Sequence, residues 1–168
     1  MLTSHTAIGL AAWNPVVDSI ASCTALESLT FAIEGKRQSR DRYMDYLRAV
    51  LPAYARLVSP PPPSVRSITF KVQEGDKNYG WENEGVKAVL EAIAEGSHWR
   101  TMDTEIADHR GLAQCVFVFY NREGHPAEED KARIASTLQG VLPWMVKRGI
   151  LAVELKTPMD TKSWLYEI

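Results

Sequence analysis

Apolar and polar positions alternate in several short segments of the chain, and a period of two is typical of β-strands packed on one face. Two segments, 26–34 and 65–73, carry the same pattern almost residue for residue. Their alternating apolar positions are Leu29, Phe31, Ile33, Ile68, Phe70 and Val72. The repeat predicts two strands of one type, with these side chains on one face.

The same pattern recurs further along the chain and, more loosely, before it. Its alternating positions are Cys115, Phe117 and Phe119, then Leu151, Val153 and Leu155, with an earlier copy at Thr6, Ile8 and Leu10. We therefore predict four strands and a weaker fifth at the start. Their spacing is unequal, so insertions interrupt the repeat.

Between the strands, apolar residues recur at steps of three and four, which is typical of helices with one buried face. The four stripes are Tyr43, Leu47, Val50, Leu51, Tyr54, Leu57; Val86, Val89, Leu90, Ile93; Trp99, Met102, Ile106; and Ile134, Leu138, Val141, Leu142, Met145. The prolines at 60–63 end the first helix, and Gly96 separates the second from the third. Pro126 and Gly149 bound a single last helix.

Strands separated by helices need crossover connections, which make the sheet parallel. We predict one α/β domain over residues 1–168, an irregular leucine-rich-repeat-like solenoid of strands and helices with a mainly parallel sheet. The alternative is an open doubly wound α/β sheet, with helices on both faces. The outward positions of the first two strong strands are small or polar (Thr30, Ala32, Thr69 and Lys71), which favours a sheet covered on one face only.

The strand at 114–120 differs, because its outward positions Val116, Val118 and Tyr120 are apolar or aromatic. We expect this face to be covered or to form part of a binding surface. The segment Trp164-Leu165-Tyr166 is one source of such a cover, or else a cap for the exposed last repeat.

Composition is that of a folded protein, with 45% apolar and 24% charged residues. Nineteen basic and twenty-one acidic residues give a net charge of −2, which argues against nucleic acid as a partner. No apolar stretch approaches the roughly 20 residues that span a bilayer, so we expect no membrane partner. Cys23 and Cys115 lie far apart, and we expect both to be buried thiols in an intracellular, cytoplasmic protein.

The chain lacks a nucleophile elbow, a phosphate-binding loop and a dinucleotide-binding turn, so the sequence predicts no catalytic residue, metal or cofactor. Glu105, Asp108 and His109 are the groups that would suit a metal or acid–base chemistry. Charged loops commonly precede strands, however, and we favour a solvated loop for the whole cluster of ionisable residues before the strand at 114–120, which consists of Asp103, Glu105, Asp108, His109 and Arg110. Cys115 with His109 or His125 would make a thiol–imidazole pair, but its inward register predicts core packing.

Two loops that follow strands carry the residues most typical of recognition. The first holds Tyr79 and Trp81 among glycines and acids, and the second follows Tyr120 and holds Arg122 and His125. In a solenoid both loops leave the same edge of the sheet, next to Lys71. We predict that these six residues bind a protein partner.

Four segments carry a family resemblance. They read LESLTF (26–31), WRTMDTEIAD (99–108), LAQCVF (112–117) and LPWMVKRGIL (142–151). Over roughly residues 5–156 the chain resembles the C-terminal, leucine-rich-repeat-like region of F-box proteins of mushroom-forming fungi. In that family the F-box docks onto a cullin-type ubiquitin ligase adaptor and the repeats are taken to choose the substrate. Residues 1–12 are too few for an F-box, so we expect a truncated chain or a stand-alone repeat domain.

Three functions remain open. The first is a non-enzymatic protein-binding domain that uses the sheet face and the strand-end loops. The second is a small enzyme or small-molecule binder, which requires Glu105, Asp108 and His109, or His125, to converge within about 3 Å. The third is a structural or assembly subunit, a homo-oligomer in which the open ends of the repeat pair with copies of themselves.

Overall fold

A computed structural model describes residues 18–20, 22–34, 40–73, 84–120 and 128–156 of the chain. The four strands are β1 (Ser28–Glu34), β2 (Ser67–Gln73), β3 (Gln114–Tyr120) and β4 (Leu151–Lys156). The helices are α1 (Arg40–Leu57), α2 (Glu84–Glu95), α3 (Ser97–Ala107), α4 (Glu128–Val141) and α5 (Pro143–Lys147), and residues 18–20 form a further helical turn.

The strands form one parallel sheet in the order β1-β2-β3-β4, which is their order along the chain. The pairing also confirms the register that the repeat predicted. The three inward rows are Leu29, Ile68, Cys115, Leu151; Phe31, Phe70, Phe117, Val153; and Ile33, Val72, Phe119, Leu155. The fifth strand that we predicted, at Thr6–Leu10, lies outside the described residues.

These inward rows and the buried faces of the five helices form one hydrophobic core. The phenylalanines of the middle row stack across the sheet, with ring centroids 5.3 Å apart for Phe31 and Phe70 and 4.9 Å apart for Phe70 and Phe117. Trp99 of α3 meets Phe70 edge to face at 5.1 Å. Aromatic pairs of this kind add about 0.5–1.5 kcal/mol each beyond the burial of their area.

The first three predicted helices are confirmed. α1 buries Tyr43, Leu47, Leu51 and Leu57, and it ends before the prolines. Gly96 is the residue before the first turn of α3, so it separates α2 from α3 as expected. None of the helices in the described ranges is long and apolar enough to cross a membrane.

The prediction of a single last helix is wrong. The chain leaves the helical conformation at Leu142 (φ −121°, ψ 54°), between α4 and α5. Pro143 is the reason, because proline has no N–H to continue the ladder and suits the first position of a new helix. The predicted stop at Gly149 is confirmed, since its φ is 68°. That value lies in the left-handed region, which favours glycine.

The second face of the sheet has no helix of the described ranges packed on it. Its outward residues alternate with the core rows, and Thr30, Ala152 and Glu154 among them are exposed. Val116, Val118 and Tyr120 form a small cluster of their own on β3. The fold is thus a mixed α/β layer with its described helices on one face of a parallel sheet.

Candidate interaction surface

The carboxyl ends of β2 and β3 bring the two predicted recognition loops to one edge. Gln73 pairs with Tyr120, so segments 74–83 and 121–127 leave the sheet from neighbouring positions. Tyr79, Trp81, Arg122 and His125 fall in these segments and lie outside the described residues. Their part in binding stays a prediction, but the adjacent attachment of the two loops is shown by the register.

Lys71 and Tyr120 are the two predicted binding residues that the structure describes. Lys71 is half-buried and stands on the outer face of β2, between Ala32 of β1 and Val118 of β3. Tyr120 ends β3 beside Lys156 of β4 and is only 4% exposed. Lys71 therefore presents part of its side chain to the outer face, whereas Tyr120 is covered.

The outer face has an apolar line along β3 with polar groups on either side. This line, the β3 stripe, consists of Val116, Val118 and Tyr120. Lys71 adjoins Val118 from β2, and Glu154 adjoins it from β4. Glu154 Oε2 lies 3.1 Å from Lys156 Nζ, so the far side of the stripe carries a partly exposed ion pair.

The acidic and histidine residues before β3 have separate structural roles. Asp103 is 1% exposed, which corrects the expectation of a solvated group for this residue. Its carboxylate accepts N–H bonds from Trp144 at 2.9 Å and from Met145 at 3.0 Å. Because Leu142 offers no side-chain cap to α5, Asp103 supplies that cap from α3.

His109 is held by main-chain groups. Its Nδ1 accepts the N–H of Leu112 at 3.1 Å, so the proton on Nε2 donates to the carbonyl of Pro62 at 3.2 Å. Glu105 instead accepts a hydrogen bond from Ser59, and Asp108 is exposed. Where the structure describes the chain, Glu105, Asp108 and His109 do not converge, and no group of three or more His, Cys, Asp or Glu residues is placed to hold a metal ion.

Arg148 is a structural residue that sequence reasoning missed. Its guanidinium donates to the carbonyls of Ile106 at 2.7 Å, His109 at 3.1 Å and Leu112 at 3.3 Å. It thereby binds the open carbonyl end of α3 and the loop that leads into β3. The signal in the sequence was weak, since an arginine before a glycine also reads as an ordinary helix end.

The two cysteines differ in burial. Cys115 is fully buried in the core, as predicted, and burial together with the charge of Asp103 raises the pKa of its thiol to about 12. A thiol with so high a pKa is a poor nucleophile near neutral pH. Cys23 is only half-buried, so the expectation that both are buried is wrong for this residue.

Comparison of the chain with protein families, curated proteins and solved structures gives no match in any of the three. The resemblance to the repeat region of fungal F-box proteins therefore stays a prediction.

Proposed function

We propose that the chain is a non-enzymatic protein-binding domain that recognises its partner at the carboxyl edge of the sheet. The observation that carries the proposal is the pairing of Gln73 with Tyr120, so that the strand ends from which segments 74–83 and 121–127 continue are neighbours at one edge of the sheet. Between them these loops contain Tyr79, Trp81, Arg122 and His125, and aromatic and arginine side chains dominate the energetics of protein interfaces.

The outer sheet face continues this surface. It adjoins the same edge through Lys71 and Tyr120, and it alternates apolar and charged positions across β2, β3 and β4. A mixed surface of this kind suits a protein partner better than a nucleic acid, which would call for clustered basic residues. The net charge of −2 points the same way.

We also propose that the strands and helices form a leucine-rich-repeat-like solenoid. Two observations support this architecture over a doubly wound sheet. The strand order follows the chain without reversal, and the described helices share one core with the inward rows. In such an arrangement the second sheet face and the strand-end loops are the surfaces left for recognition.

Affinity capture from the source organism tests the binding proposal. Trp81→Ala and Tyr79→Ala are compared with wild type and with Arg100→Ala. Arg100 is the control because it is an exposed side chain on α3, outside both the strand-end edge and the surface around β4 and α5. We expect the two loop variants to lose at least about tenfold of the captured partner, a loss typical of an interface hot spot. Full retention of every partner by both variants would contradict the proposal.

Self-assembly is a second candidate function, favoured by the incomplete burial of the inward side chains of β4. Leu151, Val153 and Leu155 occupy inward rows yet are half-buried, whereas their counterparts on β2 and β3 are fully buried. Trp144 and Val146 of the neighbouring α5 are exposed. Pairing of this end with a second copy would bury these side chains, and a strict monomer in light scattering at high concentration would exclude it.

A further inference from the structure

β4 is an outermost strand of the described sheet, and strands of the described ranges pair with it on one side only. On the paired side, the N–H of Cys115 donates to the carbonyl of Ile150 at 2.7 Å. Because backbone groups alternate in direction along a strand, those of Leu151, Val153 and Leu155 point away from β3. This side, the open side of β4, therefore presents a row of donors and acceptors on which a further strand can form.

The inward row of β4 is incompletely covered, unlike that of the other outermost strand. The three inward residues of β1 are at most 9% exposed, whereas Leu151, Val153 and Leu155 of β4 are each half-buried. Within 151–156 there is no proline, no bulge and no inward-pointing charge, which are common protections of an edge strand. The open side of β4 thus combines unprotected backbone with apolar side chains.

The apolar row favours one direction of pairing between two copies of the chain. A two-fold axis that runs along the strands would pair them parallel and turn one sheet over, so the two inward rows would lie on opposite faces. An axis perpendicular to the sheet pairs the strands antiparallel and keeps both inward rows on one face. Only the antiparallel arrangement lets the half-buried side chains of one copy cover those of the other.

Glu154 and Lys156 distinguish the registers of such a pairing. Both belong to the outer face, and Glu154 Oε2 lies 3.1 Å from Lys156 Nζ. When Leu155 faces its own copy, Glu154 of each chain stands opposite Lys156 of the other. When Glu154 or Lys156 faces its own copy, like charges meet, and when Val153 does, Glu154 faces Ala152. Opposite charges directly across two strands stabilise the pair and like charges destabilise it, so the register centred on Leu155 is favoured.

The backbone of β4 is compatible with this register. Since the N–H and C=O of Leu155 point to the open side, Leu155 and its copy form a hydrogen-bonded pair. Glu154 and Lys156 of the other chain then form a non-hydrogen-bonded pair, whose Cα atoms are closer, about 4.5 Å against about 5.5 Å. The charged side chains therefore face each other at the position where cross-strand contact is tightest.

We propose that the chain forms a symmetric dimer in which the open sides of β4 pair antiparallel, with Leu155 on the two-fold axis and Glu154 opposite Lys156. The two four-stranded sheets then form one continuous sheet, with the described helices of both copies on one face. This pairing rests on self-assembly as the proposed function of this end of the sheet. It also turns the two strand-end edges in opposite directions, so a dimer offers two separate surfaces to a protein partner.

Exchange of charges in the full chain tests which residues face each other. Sedimentation equilibrium compares wild type, Glu154→Lys, Lys156→Glu and an equimolar mixture of the two variants. We expect each variant alone to dimerise at least about tenfold more weakly, because two like-charge pairs replace two opposite-charge pairs. The mixture should recover to within about threefold of wild type, because a lysine again faces a glutamate at both places. Asp45→Lys, an equal change of charge at an exposed position of α1, should leave the association unchanged.

Cysteine substitution tests the register. Half-buried Cys23 is first replaced by serine, whereas Cys115 is buried and stays. Facing residues of a hydrogen-bonded antiparallel pair have Cα atoms about 5.5 Å apart, within the span of a disulfide. We expect Leu155→Cys to give a disulfide-linked dimer under mild oxidation. Val153→Cys should give none, because the two copies of that residue would lie about 13 Å apart along the strands.

The outcomes separate this pairing from self-assembly as such. A wild type that stays monomeric at high concentration would overturn both, and would mean that the open side is covered within the chain or by a different protein. A wild-type dimer that the charge variants leave unchanged, or that Val153→Cys alone crosslinks, would overturn the pairing and leave self-assembly standing. If circular dichroism shows that a charge variant is unfolded, the cysteine experiment still decides the register.

Discussion

Removal of the Asp103 carboxylate should weaken the fold at one defined contact. The change Asp103→Ala leaves the N–H groups of Trp144 and Met145 without their acceptor. Met145 is fully buried, so its N–H cannot turn to water, and an unsatisfied buried donor costs about 1–3 kcal/mol. Trp144 is 43% exposed, so hydration offsets part of the loss of its hydrogen bond.

The expected net destabilisation is about 2–3 kcal/mol, because loss of a helix cap adds roughly 1 kcal/mol and removal of a buried charge returns part of its desolvation cost. For a chain of this size the melting temperature should fall by about 4–12 °C. Asp103→Asn keeps one acceptor oxygen in place and should cost about half as much.

Urea unfolding followed by circular dichroism measures these free energies. Asp108→Ala is the matched control, since Asp108 is an exposed aspartate just past the end of α3. Its removal should change stability by less than about 0.5 kcal/mol, as is usual for a surface substitution. Hydrogen exchange at the Met145 amide should also accelerate in Asp103→Asn. An Asp103→Ala chain as stable as the Asp108→Ala chain would refute the assigned role of this carboxylate.

Three further changes test other features of the fold. Gly149→Ala should cost about 1–2 kcal/mol of unfolding free energy, because the φ of +68° strains any side chain although space is open around it. In thermal melts Gly140→Ala, at an exposed position of α4, should instead stabilise by up to about 1 kcal/mol, and equal effects of the two changes would contradict this. Burial keeps the Cys115 thiol protonated in the folded chain up to a pKa of about 12, whereas the thiol of the unfolded chain ionises near pH 9. The free energy of unfolding should therefore be unaffected by this group below pH 9 and fall by about 1.4 kcal/mol per pH unit between pH 9 and 12. Cys115→Ala should lose stability less steeply over that range, and identical slopes of unfolding free energy against pH would disprove this. Arg148→Lys should cost about 1–3 kcal/mol in urea unfolding, because an ammonium cannot reach three carbonyls in the same fork. Exposed Arg100→Lys is the neutral control, and equal stability of the two chains would count against that geometry.

The strands and their register were predictable because they depend on local pattern alone. Leu29, Ile68, Cys115 and Leu151 occupy the same place in four copies of one alternating motif, and parallel neighbours in a repeat align like positions. The side of the sheet that faces the helices follows from the same alternation. No distant contact had to be known to place these residues.

The break at Pro143 and the role of Asp103 were harder, because each depends on the other. The apolar stripe runs through Leu142 to Met145, so periodicity alone continues the helix across the proline. A proline after a residue without a capping side chain is a signal for a new helix that needs its cap from elsewhere. The chain places that cap 41 residues earlier, a separation that no local pattern reveals.

For the candidate surface, the sequence predicted which sheet edge the residues occupy but not how far each side chain is exposed. The positions of Lys71 and Tyr120 follow from the strand register, but the deep burial of Tyr120 does not, since a residue at the end of a strand usually reaches solvent. Whether a side chain on the outer face is open or covered depends on the rest of the chain, which the strand pattern does not specify.

The unbroken ladder from β1 to β4 means that nothing in the hydrogen-bond geometry sets the number of strands. Each interior strand meets its two neighbours through equivalent rows, and the two outermost strands offer the same rows on one side. A duplicated strand-and-helix segment would therefore enter between two existing units without any change of register. The size of such a sheet is open to variation by gene duplication, whereas a closed barrel has to change its circumference to admit one more strand.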